Sequence, residues 1–171
     1  MEGIIIRNVK EEDIPLVVDI QINGWKTAYR GIIDDISLDT MNKEAKIEKR
    51  KKDYKDSGFI VAEVEGKIVG FCRYIDSNKF SPEETNIDCE LLALYVKPEL
   101  KYNGIGTKLF KHVVKEFKSK NKKQMILWCL KDNESSKKFY TKMGGKIHKE
   151  KLIEIDNKNY YEVSFIYDLS I

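Results

Sequence analysis

The sequence predicts a mixed α/β (α+β) fold, in which about seven strands form one central sheet flanked by about four helices. Short apolar or alternating runs, which are typical of strands, are interspersed with segments of helical period. No Gly/Ser-rich linker or repeat interrupts the 171 residues, and the only prolines are Pro15, Pro82 and Pro98. A chain of this length fits one domain, so residues 1–171 are expected to form a single domain.

The first half of the chain is predicted to contain two helices and four strands. Gly24 is predicted to lie near the end of the first helix, and Gly66-Lys67 forms a turn between two alternating strands. A loop at 31–35 separates the two helices, and Pro98 ends the last strand. That strand is apolar on both faces, which favours a central position in the sheet. The predicted elements are strand Ile4–Val9, helix Glu12–Gly24, helix Asn42–Asp56, strand Phe59–Glu65, strand Ile68–Ser77 and strand Ile87–Val96.

The second half is predicted to begin with a glycine-bearing loop, Lys101–Thr107, which leads into a helix ending near Lys120. Asp132 or Asn133 caps a later helix, and two glycines end it. An Asp-Asn turn then joins the last two strands as a hairpin. These elements are strand Met125–Leu130, the helix from Asn133 to Met143, and strands Lys146–Ile155 and Tyr160–Leu169.

The composition argues against several classes of protein. Lys and Arg number 31 against 28 Asp and Glu, a formal charge of +3, and only four of the basic residues are arginine, so a dedicated nucleic-acid-binding protein is not expected. The longest apolar runs are far shorter than the roughly 20 residues of a membrane span, and the N-terminus does not resemble a signal peptide. Three cysteines without Cys-x-x-Cys spacing predict neither a disulfide framework nor a metal site. A cytoplasmic location, with no membrane or nucleic-acid partner, is therefore expected.

The loop Lys101–Thr107 is the segment with the clearest chemistry. A glycine-bearing turn into a helix presents free backbone N–H groups beside the positive end of the helix dipole, and such a site favours phosphate. Gly104 and Gly106 would let the backbone approach an anion closely. A dinucleotide fingerprint needs a third glycine, and a Walker loop needs Gly-Lys-Ser/Thr, so neither pattern fits. Taken alone, the loop is equally compatible with a simple helix entry.

The flanking segments strongly resemble the GNAT superfamily of N-acetyltransferases. Before the loop stands Glu90-Leu91-Leu92-Ala93-Leu94-Tyr95-Val96-Lys97-Pro98. After the next strand stands Asn133-x-x-Ser136-x-x-Phe139-Tyr140-x-x-x-Gly144, and Lys101-x-x-Gly104-x-Gly106 fits the family's Arg/Gln-x-x-Gly-x-Gly/Ala loop. The element order also matches, so the resemblance implies a twisted, largely antiparallel sheet. Lys101 replaces the usual Arg or Gln, and Gly145 replaces the usual Phe, which removes an aromatic contact and predicts a more loosely held last helix.

The resemblance implies an acetyl-CoA site. Backbone groups of Leu94 and Val96 would bind the pantetheine arm in a gap between splayed strands, the loop amides would hold the pyrophosphate, and Lys137 or Lys138 would assist the 3′-phosphate. The implied cofactor-binding residues are Leu94, Tyr95, Val96, Lys101, Tyr102, Asn103, Gly104, Ile105, Gly106, Thr107, Asn133 and Tyr140.

The reaction needs a proton acceptor, because an aliphatic ammonium with a pKa of about 10.4 is deprotonated less than ~0.1% of the time at pH 7. Glu90 is the candidate general base, with Asp88 as the substitute, and Tyr140 is the candidate general acid for the CoA thiolate. A backbone N–H near Leu94–Tyr95 would stabilise the oxyanion. Direct transfer through a ternary complex follows, without a cysteine intermediate.

Trp25 and Tyr29 are four residues apart, so on a helix they share a face that could bind a cationic amine. Family members with a similar Trp-x-x-x-Tyr-x-Gly stretch act on small amines or peptide amines, so the resemblance implies a polyamine-like small molecule or a peptide amine as acceptor. The protein is expected to be a monomer or a homodimer. The alternative hypothesis is a non-catalytic acyl-CoA-binding sensor or interaction module, which would need neither Glu90 nor Tyr140.

Overall fold

The computed structural model describes residues 3–171. Seven strands form one sheet in the order β1-β2-β3-β4-β5-β7-β6, which places β4 at the centre as predicted. β4 and β5 run parallel, and the other neighbouring pairs run antiparallel. The strands are β1 (Ile5–Asn8), β2 (Gly58–Val64), β3 (Lys67–Ile75), β4 (Cys89–Val96), β5 (Gln124–Leu130), β6 (Lys146–Ile155) and β7 (Lys158–Asp168).

Five α-helices accompany the sheet in the described part of the chain. Four correspond to the predicted helices, and the short α2 begins at the end of the predicted loop 31–35 and continues into residues for which no element is predicted. Its N-cap is Asp34, whose carboxylate accepts a hydrogen bond from the backbone N–H of Ser37. The helices are α1 (Ile14–Ala28), α2 (Asp35–Asp39), α3 (Lys43–Asp53), α4 (Ile105–Ser119) and α5 (Glu134–Lys142).

The prediction that the first helix ends near Gly24 was wrong. α1 continues through Gly24 to Ala28, and Gly24 is buried. A Cβ at this position would lie 2.8 Å from Cδ1 of Tyr95. Glycine is therefore needed because α1 approaches β4 closely here.

The two faces of the sheet bury separate apolar clusters. Leu109, Val113 and Phe117 of α4, with Tyr140 of α5, pack on one face. Ile14, Val17 and Val18 of α1 pack on the other, against β2 and β3. Within residues 3–171, no helix is long and apolar enough to cross a membrane.

The C-terminal end of α5 is held by Tyr167 of β7, which corrects the expectation that Gly145 loosens this helix. The hydroxyl of Tyr167 donates to the carbonyl oxygen of Tyr140 at 2.8 Å, and the backbone N–H of Gly145 donates to the same oxygen at 3.0 Å. A Cβ on Gly145 would lie 2.6 Å from both Cζ and the hydroxyl of Tyr167. The tyrosine ring therefore occupies the space beside residue 145.

Gly145→Ala is expected to lower the free energy of unfolding by about 1–3 kcal/mol, because the methyl group would overpack the buried Tyr167 and Phe165 rings. Urea denaturation measures this loss. The control is Gly106→Ala, whose Cβ would make ordinary contacts with Phe139 at 3.5 Å and Leu94 at 3.6 Å. Equal stability of the two variants would refute this account of Gly145.

Candidate functional site

The candidate site lies where β4 and β5 separate. Their pairing runs from Cys89↔Met125 to Leu91↔Leu127. Beyond Leu127, β5 remains paired with β7. In β4 the register against β3 shifts between Leu91 and Ala93, so that Leu92 is the extra residue of a bulge. The bulge coincides with the point at which the parallel strands part.

The parted strands expose one backbone edge of β4. The N–H of Lys97 donates to the carbonyl of Val69 on β3 at 2.8 Å. Successive residues of a strand direct their N–H and C=O groups to opposite sides, so those of Leu94 and Val96 point away from β3, toward the gap. These are the two residues whose backbones were predicted to bind an extended ligand.

The loop before α4 has the geometry of an anion cradle. Gly104 is the N-cap of α4, with a φ of 80° that favours glycine, and no atom lies within 4 Å of its would-be Cβ. The first helical hydrogen bond is donated by Lys108 to Gly104. The N–H groups of 105–107 therefore precede the helical ladder and point out of the helix end. A Cβ on Gly106 would lie 3.5 Å from Phe139 and 3.6 Å from Leu94, which are ordinary contact distances, so glycine is not sterically required at this position.

One cavity of about 650 Å³ joins the cradle to the gap between the strands. Most of the predicted site residues line it, and Gly24, Ala28 and Cys129 line it as well. The predicted residues in the lining are Tyr29, Leu94, Tyr95, Val96, Lys101, Tyr102, Gly104, Ile105, Gly106, Thr107, Asn133 and Tyr140. Among the described residues, the predicted Trp25, Glu90 and Asn103 are not part of this lining.

Two of these three residues, Trp25 and Asn103, make hydrogen bonds to residues of the lining. Trp25 donates its indole N–H to the hydroxyl of Tyr95 at 2.7 Å, and its ring meets that of Tyr29 edge to face at 5.1 Å between centroids. Asn103 is exposed, and its side-chain amide donates to the carbonyl of Leu100 at 3.3 Å. Trp25 thus positions two tyrosines of the cavity, and Asn103 braces the loop.

Asn133 and Tyr140 reach the cavity from α5. Asn133 is the N-cap of this helix, and its side-chain oxygen accepts the N–H of Ser136 at 3.2 Å. Tyr140 is 8% exposed. Burial raises the pKa of Tyr140 well above its ordinary value, so the phenol stays protonated and able to donate at neutral pH.

Glu90 lies behind the cavity, on the opposite face of the sheet from Tyr140. It is 5% exposed, and burial raises the pKa of its carboxyl group to about 7. The hydroxyl of Ser81 donates to Oε2 of Glu90 at 3.5 Å and accepts the indole N–H of Trp128 at 3.1 Å. Since Trp128 lines the cavity, Glu90 is joined to the cavity wall through Ser81.

Asp88 has a structural environment. Its two carboxylate oxygens accept the backbone N–H groups of Lys123 at 2.9 Å and Gln124 at 3.0 Å, at the start of β5. Asp88 therefore stabilises the start of β5 through two backbone hydrogen bonds, whereas Glu90 accepts a hydrogen bond from the hydroxyl of Ser81.

Sequence reasoning did not identify Ser81 or Trp128 as site residues. Ser81 belongs to a loop before β4 and is fully buried, and Trp128 lies within a predicted strand. A partly buried tryptophan needs a hydrogen-bond acceptor for its indole N–H, and this need is visible in the sequence. Which residue supplies the acceptor is not, because Ser81 lies 47 residues from Trp128 and only the fold brings them together.

The lysines near the cavity differ in whether they line it or are bound to other groups of the protein. Lys101, Lys138 and Lys142 line it. Lys137 instead pairs with Glu134 at 2.8 Å and donates to the carbonyl of Lys131 at 3.0 Å. Of the two lysines that were considered for a phosphate, Lys138 is the one at the cavity. In residues 3–171, no cluster of His, Cys, Asp or Glu has the arrangement of a metal site.

Comparison with known proteins identifies the class to which this fold and cavity belong. The model of the acetyltransferase (GNAT) family matches residues 27–145. The chain belongs to this family, as its sequence motifs predicted. It is therefore an N-acetyltransferase whose cosubstrate is acetyl-CoA.

Relatives of known sequence or structure agree. An uncharacterized N-acetyltransferase of Archaeoglobus fulgidus is 31% identical over 79% of this chain and 88% of its own. The spermidine N(1)-acetyltransferase of Thermoplasma acidophilum is 27% identical over 83% of this chain and 88% of its own. The crystal structure of the PaiA N-acetyltransferase of T. acidophilum in complex with coenzyme A superposes with a TM-score of 0.72, at 24% identity, over 96% of this chain and 99% of that one. The predicted fold is confirmed.

Proposed function

We propose that this protein transfers the acetyl group of acetyl-CoA directly to a primary amine of a polyamine-like small molecule or a peptide. The observation that carries the proposal is the cavity itself, which runs from the phosphate cradle of α4 through the parted strands to Tyr29. Glu90 and Tyr140 flank it from opposite faces of the sheet. We further propose that residues 1–171 form one catalytic domain, since all seven described strands belong to one sheet.

The residues present suit acetyl-CoA. The N–H groups at the start of α4 would hold the pyrophosphate, and the backbone edge at Leu94 and Val96 would pair with the amides of the pantetheine arm. Bound in this way, the cosubstrate supplies an activated acetyl group at its thioester. The N–H of Leu94 points away from β3 and would stabilise an oxyanion there, which leaves the Leu94 carbonyl and the backbone of Val96 for the pantetheine arm.

Glu90 would accept the proton of the acceptor ammonium. A base with a pKa of about 7 is half ionised at neutral pH, which suits proton transfer under these conditions. Because Glu90 lies behind the lining, Ser81 or an intervening water would relay the proton. The amine nitrogen then attacks the thioester carbonyl carbon, a C–N bond forms and the C–S bond breaks.

Tyr140 would protonate the departing CoA sulfur. It is a neutral phenol on the cavity wall, and Tyr167 fixes the backbone beside it by a hydrogen bond of 2.8 Å. The proton leaves the phenol as the thiolate forms, and solvent or the acceptor's released proton restores it. Glu90 would thus act on the amine nitrogen of the acceptor, and Tyr140 on the sulfur of CoA.

The acceptor class rests on Tyr29 and on one relative. Tyr29 lies on the cavity wall, where its ring offers an apolar and π-rich surface to an alkylammonium. A related protein of similar length is named a spermidine N(1)-acetyltransferase, which favours polyamine-like acceptors.

A panel of amines tests the proposal. CoA release is measured with polyamines, diamines, monoamines and peptides, beside calorimetric titration with acetyl-CoA. Turnover of at least one polyamine-like amine or peptide is expected. Tight binding of acetyl-CoA without turnover of any amine would favour the non-catalytic acyl-CoA-binding module instead.

Lys138→Met is expected to weaken CoA binding about three- to tenfold, because Lys138 would attract the 3′-phosphate by Coulomb forces at the cavity mouth. Titration with CoA and with dephospho-CoA measures the effect, which should be absent for dephospho-CoA. The matched control is Lys137→Met, since Lys137 is bound to Glu134. Equal losses for both ligands would exclude a role at the 3′-phosphate.

A further inference from the structure

We propose that Trp128 and Glu162 form a binding site for the second, non-reacting ammonium of a diamine acceptor, and that Lys151 fills this site in the free protein. The proposal rests on the proposed function and narrows its acceptor class. Lys151 would therefore be an internal competitor of the substrate.

The site is built across three strands on one face of the sheet. Lys151 of β6 and Glu162 of β7 are cross-strand partners, with 3.3 Å between the ammonium nitrogen and Oε1. The Lys151 nitrogen also lies 4.0 Å from the ring centroid of Trp128 on β5. A carboxylate beside an aromatic face offers an alkylammonium both a charge-assisted hydrogen bond and a cation–π contact.

The charges around this site favour a cation. Burial raises the pKa of Glu162, and the positive charge of Lys151 opposes that rise. Lys151 acts on Glu90 in the same direction, and Glu162 raises the pKa of Glu90. An ammonium beside Glu162 therefore favours the ionised form of both carboxylates, and a ligand ammonium that replaced Lys151 would have the same effect.

The position of the site matches a diamine. Trp128 lines the cavity, and its indole N–H reaches Glu90 through Ser81. An acceptor whose reacting nitrogen lies in the cavity beside Trp128, from which the proton would reach Glu90 by relay, could place its other ammonium against the Trp128 ring and Glu162. A monoamine has no group for this second position, so the two classes of amine should respond differently to changes here.

Lys151 is able to vacate the site. Its side chain is 37% exposed, and a lysine stem has several rotatable bonds that carry the ammonium into water. The exposed fraction of Glu162 is 17%, so the carboxylate stays in place when the lysine leaves. When an internal group occupies a binding site for most of the time, the apparent affinity of the ligand falls by the unoccupied fraction.

The test compares 1,4-diaminobutane with 1-aminobutane by calorimetric titration into the full chain. Lys151→Met, which keeps the stem and removes the charge, is expected to tighten diaminobutane binding about tenfold and to change aminobutane binding less than twofold. Lys151→Arg should show no gain. In the Lys151→Met background, Glu162→Gln should abolish the preference for the diamine.

Lys149→Met is the matched control, since it removes a neighbouring charge of β6 that pairs with Glu84 instead. A similar gain in this control, an equal gain for both amines, or no binding of diaminobutane to any variant would overturn the proposal. Because titration does not depend on turnover, a selective gain without catalysis would leave this site intact and refute the proposed function. Catalysis without a selective gain in diamine binding would support the proposed function and refute the diamine site.

Discussion

Glu90→Gln is expected to lower kcat/KM for an amine acceptor about 10²-fold or more, because glutamine cannot accept the ammonium proton. The wild-type rate should fall as pH decreases through about 7, where the carboxylate of Glu90 becomes protonated and inactive as a base. The variant lacks this group. Its rate should instead rise toward alkaline pH with the free amine fraction, whose pKa is about 10.4.

The pH profile of kcat/KM, measured with and without the substitution, checks this expectation. Asp88→Asn is the control, since its carboxylate is bound to two backbone N–H groups at the start of β5. It should reduce stability and leave the position of the acidic limb near pH 7 unchanged. If the fall in kcat/KM below about pH 7 persisted in Glu90→Gln, or disappeared in Asp88→Asn, Glu90 would not be the general base.

Tyr140→Phe is expected to lower kcat about 10–10²-fold while changing acetyl-CoA affinity less than threefold. The hydroxyl acts on the sulfur only as the C–S bond breaks, so its loss affects the transition state more than the bound ground state. Phenylalanine keeps the ring, which packs edge to face on Phe139 at 5.3 Å and near Phe165 at 5.8 Å.

Steady-state kinetics and calorimetric titration with acetyl-CoA separate these quantities. Tyr167→Phe serves as the comparison, because it removes the hydroxyl that holds the backbone of Tyr140 and leaves the Tyr140 phenol in place. That variant should lose about 1 kcal/mol of stability and retain more activity than Tyr140→Phe. Equal losses of turnover and acetyl-CoA affinity in Tyr140→Phe would indicate a binding role instead.

The two proposed reacting groups owe their properties to burial on opposite faces of one sheet. Desolvation raises the pKa of Glu90 into the neutral range and keeps Tyr140 protonated. Desolvation thus makes Glu90 a stronger base near neutral pH, while at Tyr140 it keeps the phenol in its hydrogen-bond-donating form.

The local elements were predictable from the sequence because their causes are local. Alternating and apolar runs specified the strands, and the glycines around α4 and α5 marked turns whose backbone geometry they permit. α2 was missed because five residues carry too little helical period, although its cap Asp34 is a recognisable signal. Gly24 was misread because its role is contact with Tyr95, seventy-one residues away, and not helix termination.

What the sequence determined by itself was the family and the order of the strands and longer helices, and it also identified the glycine-bearing loop before α4 and the candidate pair Glu90 and Tyr140. These depend on residue type and spacing within short segments. Only the tertiary structure decided that Glu90 reaches the cavity through Ser81 and Trp128, that Tyr167 replaces the missing aromatic contact at Gly145, and that Lys151 occupies the face of Trp128. Each of these is a contact between distant segments, and strand order and register bring the partners together.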